Sequence, residues 1–166
     1  MKRAIPVVIA LALSACQFSQ SDDPSLLSFR VPAGSAVVLN KNIDIPAGQT
    51  HVRIQSGQLT TESQRNQYDL SCRLNFRSFG PRTIAPETFN IRRTEHREGW
   101  VSRPNIYFYS TEIFLDSTKG TDVIKMECDM WAIAPSFNFS FADIEDTLGD
   151  YLAFAFNTPG ALGSEQ

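Results

Sequence analysis

Two cysteines set in alternating segments constrain this chain more than any other feature. In residues 67–76 (QYDLSCRLNF), Tyr68, Leu70, Cys72, Leu74 and Phe76 alternate with Asp69, Ser71, Arg73 and Asn75. In residues 122–130 (DVIKMECDM), Ile124, Met126, Cys128 and Met130 alternate with Lys125, Glu127 and Asp129. A period of two belongs to a strand with one buried face, so each cysteine falls on the buried side of its strand. Two inward thiols in one core can meet if the compartment is oxidising.

The first sixteen residues, MKRAIPVVIALALSAC, address the compartment. Lys2 and Arg3 precede an apolar run from Ala4 to Leu13, which ends in Leu13-Ser14-Ala15-Cys16. This is the pattern of a bacterial lipoprotein signal peptide: small residues admit the peptidase, and the Cys16 thiol takes the diacylglyceryl group before cleavage, with palmitate expected on the same processed residue. The run is too short for a membrane-spanning helix, which needs about 20 apolar residues. An ordinary secretory signal would leave Cys16 as a stray thiol. Gln17 stands where an Asp would retain the protein in the inner membrane, which points to the outer membrane and a domain facing the periplasm. Two or more acyl chains give stable anchoring where one is marginal. With Cys16 spent on lipid, Cys72 and Cys128 remain as a pair for a disulfide. No CxxC is present and no histidine lies near either cysteine, which argues against redox or zinc chemistry. Closing a loop of this length stabilises a fold by about 4 kcal/mol in the chain-entropy argument.

The organisation that follows is a signal peptide over 1–15, a lipidated cysteine and polar tether over 16–27, a single β-rich domain over 28–156, and a disordered tail over 157–166. The domain is long enough for a real core. Loss of Lys2 and Arg3 leaves 13 basic against 18 acidic residues, a charge of about −5. That balance and the compartment both exclude a nucleic-acid binder. Charge is uneven: residues 51–103 hold nine Arg against five acids, and residues 104–166 hold two Lys against ten acids. Packed into one domain, the two halves are expected to neutralise each other in space.

Strands are expected at 35–40, 50–55, 67–77, 87–93, 105–115 and 122–133. Val31-Pro32-Ala33-Gly34 and Ile45-Pro46-Ala47-Gly48 each read as a turn feeding a strand. Residues 105–115 and 122–131 form a hairpin across a polar turn. The register suggested is Leu115 with Asp122, Ile113 with Ile124, Thr111 with Met126 and Tyr109 with Cys128, because it keeps one apolar face on both strands. After Pro135 the period changes: Ile144, Leu148, Tyr151, Leu152 and Ala155 recur at helical spacing, although Gly149 interrupts them. Ser140 and Asp143 suit a capping box, with Phe139 and Ile144 spaced for a hydrophobic staple. The fold class is mainly β, an antiparallel sheet or β-sandwich with one C-terminal helix.

Several stretches resemble a widespread group of small proteobacterial outer-membrane lipoproteins with two internal cysteines. They are VLNKNIDIPAGQTHVRIQSGQ at 38–58, NQYDLSCRLNFR at 66–77 and GPRTIAPETFNIRR at 80–93, with a second cysteine near Trp131 and a closing Leu148-Gly149. The resemblance covers most of residues 36–152. It implies an envelope lipoprotein and brings no activity, cofactor or catalytic residue with it.

Catalytic motifs are scarce. The chain has no GxSxG, HExxH, P-loop or GxGxxG. His51 and His96 stand alone, and Asp143, Glu145, Asp146 and Asp150 lack the glycine-centred loop of a calcium site. No metal or cofactor is expected. Glu127 and Asp129, about 7 Å apart on the outward side of one strand, are a weak case for paired carboxylates acting on an envelope glycan or lipid. The alternative is that they meet arginines on a neighbouring strand. The best recognition candidate is Asn90–Pro104, expected as a loop between two strands. It combines Arg92, Arg93, Arg97 and Arg103 with Trp100, types that suit carboxylate or phosphate recognition and interfaces. The bland reading is a charged loop whose Glu95 and Glu98 satisfy its own arginines, with Trp100 packed beneath. The leading expectation is a non-enzymatic module held at the outer membrane by its lipid, which binds an envelope protein or a cell-wall polymer.

Overall fold

A computed structural model describes residues 21–102, 105–133 and 138–157. The expected signal peptide, Cys16, Arg103 and the expected tail beyond Asn157 lie outside the described residues. The elements are β1 (Ala36–Leu39), β2 (Ile43–Ile45), β3 (His51–Gln55), β4 (Gln58–Thr60), β5 (Ser71–Phe76), β6 (Arg82–Ile84), β7 (Glu87–Ser102), β8 (Ile106–Ser117), β9 (Val123–Ala132), α1 (Phe141–Leu148) and β10 (Leu152–Ala155). Eight strands form one antiparallel sheet in the order β10-β1-β7-β8-β9-β5-β3-β4, and β2 pairs with β6 in a separate ribbon. The helix packs on β3 and β5 near one edge of the sheet and on β10 at the other. One short helix can touch both edges only if the sheet curls around it, so the sheet is a half-barrel with α1 in its concavity.

The two cysteine-bearing strands are neighbours. Cys72 lies directly opposite Cys128, with Leu74 opposite Met126, and the cysteines are joined in a disulfide. The concave face carries Val52, Ile54, Leu74, Ile113 and Met126 against Phe141, Ile144 and Leu148 of the helix. Both Pro-Ala-Gly segments are turns. Ser35 N–H donates to Pro32 C=O and Gln49 N–H to Pro46 C=O, while Gly34 and Gly48 hold φ of 82° and 72°. A positive φ at the third turn position is what glycine supplies.

Three expectations are corrected. First, the β8–β9 register is offset by two residues: Ile113 faces Met126, Thr111 faces Cys128 and Tyr109 faces Met130. An even shift keeps the same faces together, so alternation alone does not distinguish the two registers. Second, the helix stops at Leu148, and Leu152 and Ala155 belong to β10. Ser140 and Asp143 do form the capping box, and Phe139 and Ile144 are both buried. The helix ends because Gly149 adopts φ 54° and lies against the β3–β4 turn, where a Cβ on it would stand 2.8 Å from Gly57 Cα. Third, residues 94–102 are strand and not loop: β7 continues to Ser102, paired with β8 apart from a second irregularity at Val101.

A bulge explains why that strand looks like a loop in sequence. The ladder slips between Ile91 and Arg93, leaving Arg92 without a partner opposite it. One extra residue inverts the alternation. Before it, Phe89 and Ile91 face the core; after it, Thr94, His96, Glu98 and Trp100 occupy the corresponding side, opposite Ile113, Thr111, Tyr109 and Tyr107. β1 pairs with β7 only over Glu87–Asn90, so β7 and β8 run on together past the end of β1.

Candidate functional site

The convex face of the sheet is a band of ion pairs. Arg53 on β3 donates to Asp129 on β9 at 2.9 Å, to Ser71 Oγ at 2.8 Å and to Glu62 at 2.9 Å. Arg65, from the segment after β4, also reaches Asp129. Further along, Arg73 pairs with Glu127 at 2.9 Å, Lys125 bridges Glu127 and Glu112, and Arg97 joins Glu112 and Glu95, each at 3.1 Å. Arg82 pairs with Asp122 and Arg92 with Asp116. The arginines come from the basic half of the chain, and apart from Glu62 and Glu95 these acids come from the acidic half. Strand order thus neutralises the charge asymmetry of the sequence.

Glu127 and Asp129 both meet arginines from other elements, the alternative weighed from the sequence. Burial raises the Glu127 carboxyl, but Arg73 and Lys125 outweigh it and hold the group below the ordinary carboxylate range. Asp129 is buried between two guanidiniums. A general acid needs a proton held near neutral pH, and the surroundings of Glu127 work against one.

The recognition candidate is divided by the strand. Arg93 and Arg97 lie on the convex face, where both pair with Glu95 and Arg93 also covers the Phe114 ring at 3.9 Å. Self-satisfaction by Glu95 is as the bland reading has it; Glu98 takes no part. Trp100 lies on the other face, 67% exposed, and its ring meets Tyr107 edge-on at 5.2 Å between centroids. The packing of Trp100 beneath a loop is therefore corrected. Val101 and Ile133 are exposed at the same end of the sheet, and Tyr107 stacks on Tyr109 at 6.5 Å.

The sequence did not flag the concave cleft beside this end. One part, about 230 Å³, is lined by His96, Glu98, Tyr109 and Asn138, with Arg97 and Ser110. A second part, about 560 Å³, also includes Asn138 and runs between α1 and the segment before β5, past Tyr68, Asp69, Met130, Asp143 and Asp146. A separate cleft of about 370 Å³ lies on the far side, between the β2 ribbon and β4, and includes His51 and Glu62. No cluster of metal-ligating side chains occurs among the described residues.

Both histidines are pushed below their ordinary value of 6.5, first by burial and then by a nearby arginine, Arg73 for His51 and Arg30 for His96. His96 shares a 2.9 Å hydrogen bond with Thr111 Oγ1. A histidine neutral in the fold but protonated when unfolded makes stability fall as pH drops below 6.5. The unfolding midpoint is expected to fall between about pH 7 and about pH 5.5, and His96→Gln to flatten that slope in thermal melts.

No family model, curated protein or solved structure matches this chain.

Proposed function

We propose that this chain is a non-enzymatic outer-membrane lipoprotein of the kind its sequence resembles, anchored through Cys16 and facing the periplasm. Its domain binds an envelope partner at the end of the sheet where β7 and β8 outrun β1. The observation that carries this reading is Trp100, a large aromatic side chain two-thirds exposed near the end of β7 and set against Tyr107, with Val101 and Ile133 also exposed at that end of the sheet. A clustered apolar surface of this kind marks an interaction site more often than a scattered one does. The Cys72–Cys128 disulfide suits an oxidising compartment.

Two measurements test it. Cys16→Ser should move the protein from the membrane fraction to soluble periplasm; retention in the membrane would refute the anchor. Crosslinking in cells followed by affinity capture should recover a partner that is lost with Trp100→Ala. Arg93→Ala should leave capture intact, because Arg93 lies on the opposite face. Unchanged recovery from Trp100→Ala would place the binding surface elsewhere.

A further inference from the structure

The acids of this domain fall into two populations. On the convex face Glu95, Glu112, Glu127 and Asp129 each hold an arginine or lysine. Along the concave cleft Glu98, Asp69 and Asp146 pair with no cation among the described residues. The Asp69 carboxylate accepts from the Asn66 side-chain amide, and Asp143 is used by the helix cap. Among the described residues the one cation in the lining is Arg97, whose side chain turns to the convex face and is committed to Glu95 and Glu112. A ligand here must bring hydrogen-bond donors and no net negative charge.

Aromatic rings accompany the same path. Trp100 and Tyr107 lie opposite each other, one strand alternation beyond Glu98 and Tyr109; Tyr109 is buried beneath the lining, and Tyr68, packed edge-on against Trp131, and Met130 line the second part. From Trp100 to His96 the strand spans about 13 Å, room for a short chain of rings and too long for one small metabolite. Flat aromatic faces accept the C–H side of a pyranose ring. Carboxylates and a side-chain amide in the ring plane accept from and donate to its hydroxyls. We infer that the concave cleft from Trp100 through Glu98 and Asn138 to Asp146 is a binding groove for an uncharged hexopyranose chain. This deepens the envelope-partner reading and rests on it. The shared chemistry is a neutral sugar polymer, which the envelope can offer as the cell-wall glycan or as the sugar portion of a surface glycolipid.

The test uses the chain carrying Cys16→Ser, so that no acyl chain can carry it into vesicles, with Trp131→Phe to leave Trp100 as the fluorescent reporter. N-acetylated chitotriose is the neutral probe; purified sacculi and lipopolysaccharide vesicles serve as the two polymer arms. Chitotriose should perturb Trp100 emission, and at least one polymer should co-sediment the protein. Glu98→Gln and Trp100→Ala, the latter read by sedimentation, should each weaken binding about tenfold. Thermal melts of both variants establish that the fold is retained. Sedimentation with sacculi alone, or with lipopolysaccharide alone, supports the inference and identifies the source. No response to chitotriose at about 10 mM together with no sedimentation overturns it. So does binding abolished by about 0.5 M salt, which indicates a cationic peptide or other ionic ligand. If crosslinking still captures a Trp100-dependent protein while both sugar arms fail, the sugar inference falls and the envelope-binding reading survives.

Discussion

Replacing Asp129 with alanine is expected to destabilise the fold by about 3–5 kcal/mol, the range for a buried ion pair broken on one side. Asp129 is 5% exposed and receives Arg53, itself 4% exposed, and Arg65. Removing the carboxylate strands two guanidiniums in a place from which water is excluded by the chain after β4. Arg53 keeps Glu62, but that acid is half in solvent and already shared with Arg65. The exposed pair Lys41–Asp150 at 3.2 Å is the internal control, and Lys41→Ala should cost less than about 1 kcal/mol. Urea unfolding followed by circular dichroism checks both. An Asp129→Ala loss no larger than the control would mean that the segment 61–66 does not seal the site.

Reducing the disulfide should lower stability by about 4 kcal/mol. Cys72 and Cys128 are 56 residues apart in sequence and directly opposed on β5 and β9. The crosslink therefore closes a long loop in the unfolded chain while linking strands that are already hydrogen-bonded in the fold. Chain entropy is then the main contribution, since the native pairing does not depend on the bond. The measurement is the urea midpoint with and without reductant. The double variant Cys72→Ala, Cys128→Ala should have a low midpoint that reductant does not shift further. Equal midpoints for the oxidised and reduced protein would show that the unfolded chain is already confined by other means.

What could be read in sequence followed from how strongly one face of each element is buried. β5 and β9 alternate around their cysteines because the inner residues there reach the core, so they and the cysteine pairing were legible, although a register shift at the start of β9 puts Val123 in the core in place of Ile124. The capping box was legible too, because its three-residue spacing is local. β2, β4 and β6 are three residues each, too short for a period to register. The end of α1 depended on a contact between Gly149 and Gly57, far apart in sequence and invisible to a local pattern. The outer half of β7 was hidden for a different reason. Past the bulge at Arg92 both of its faces are polar or lightly covered, so the segment offers no apolar alternation to detect. The candidate site inherited that error: Arg93 and Arg97 were grouped with Trp100 by nearness along the chain, and the strand sends them to opposite faces.

That same bulge gives β7 an unusual dependence on length. Because one unpaired residue inverts the strand's facing, the assignment of Glu95 and Arg97 to one surface and of Glu98 and Trp100 to the other is carried by the spacing from Ile91. Identity of the side chains can drift at Arg92 with little consequence, but its presence cannot. A deletion there would exchange the two surfaces wholesale, setting charged pairs against the helix and the aromatic residues against water. In this strand an insertion or deletion is a graver change than any substitution, and related chains would be expected to vary the letter at this position while keeping the count.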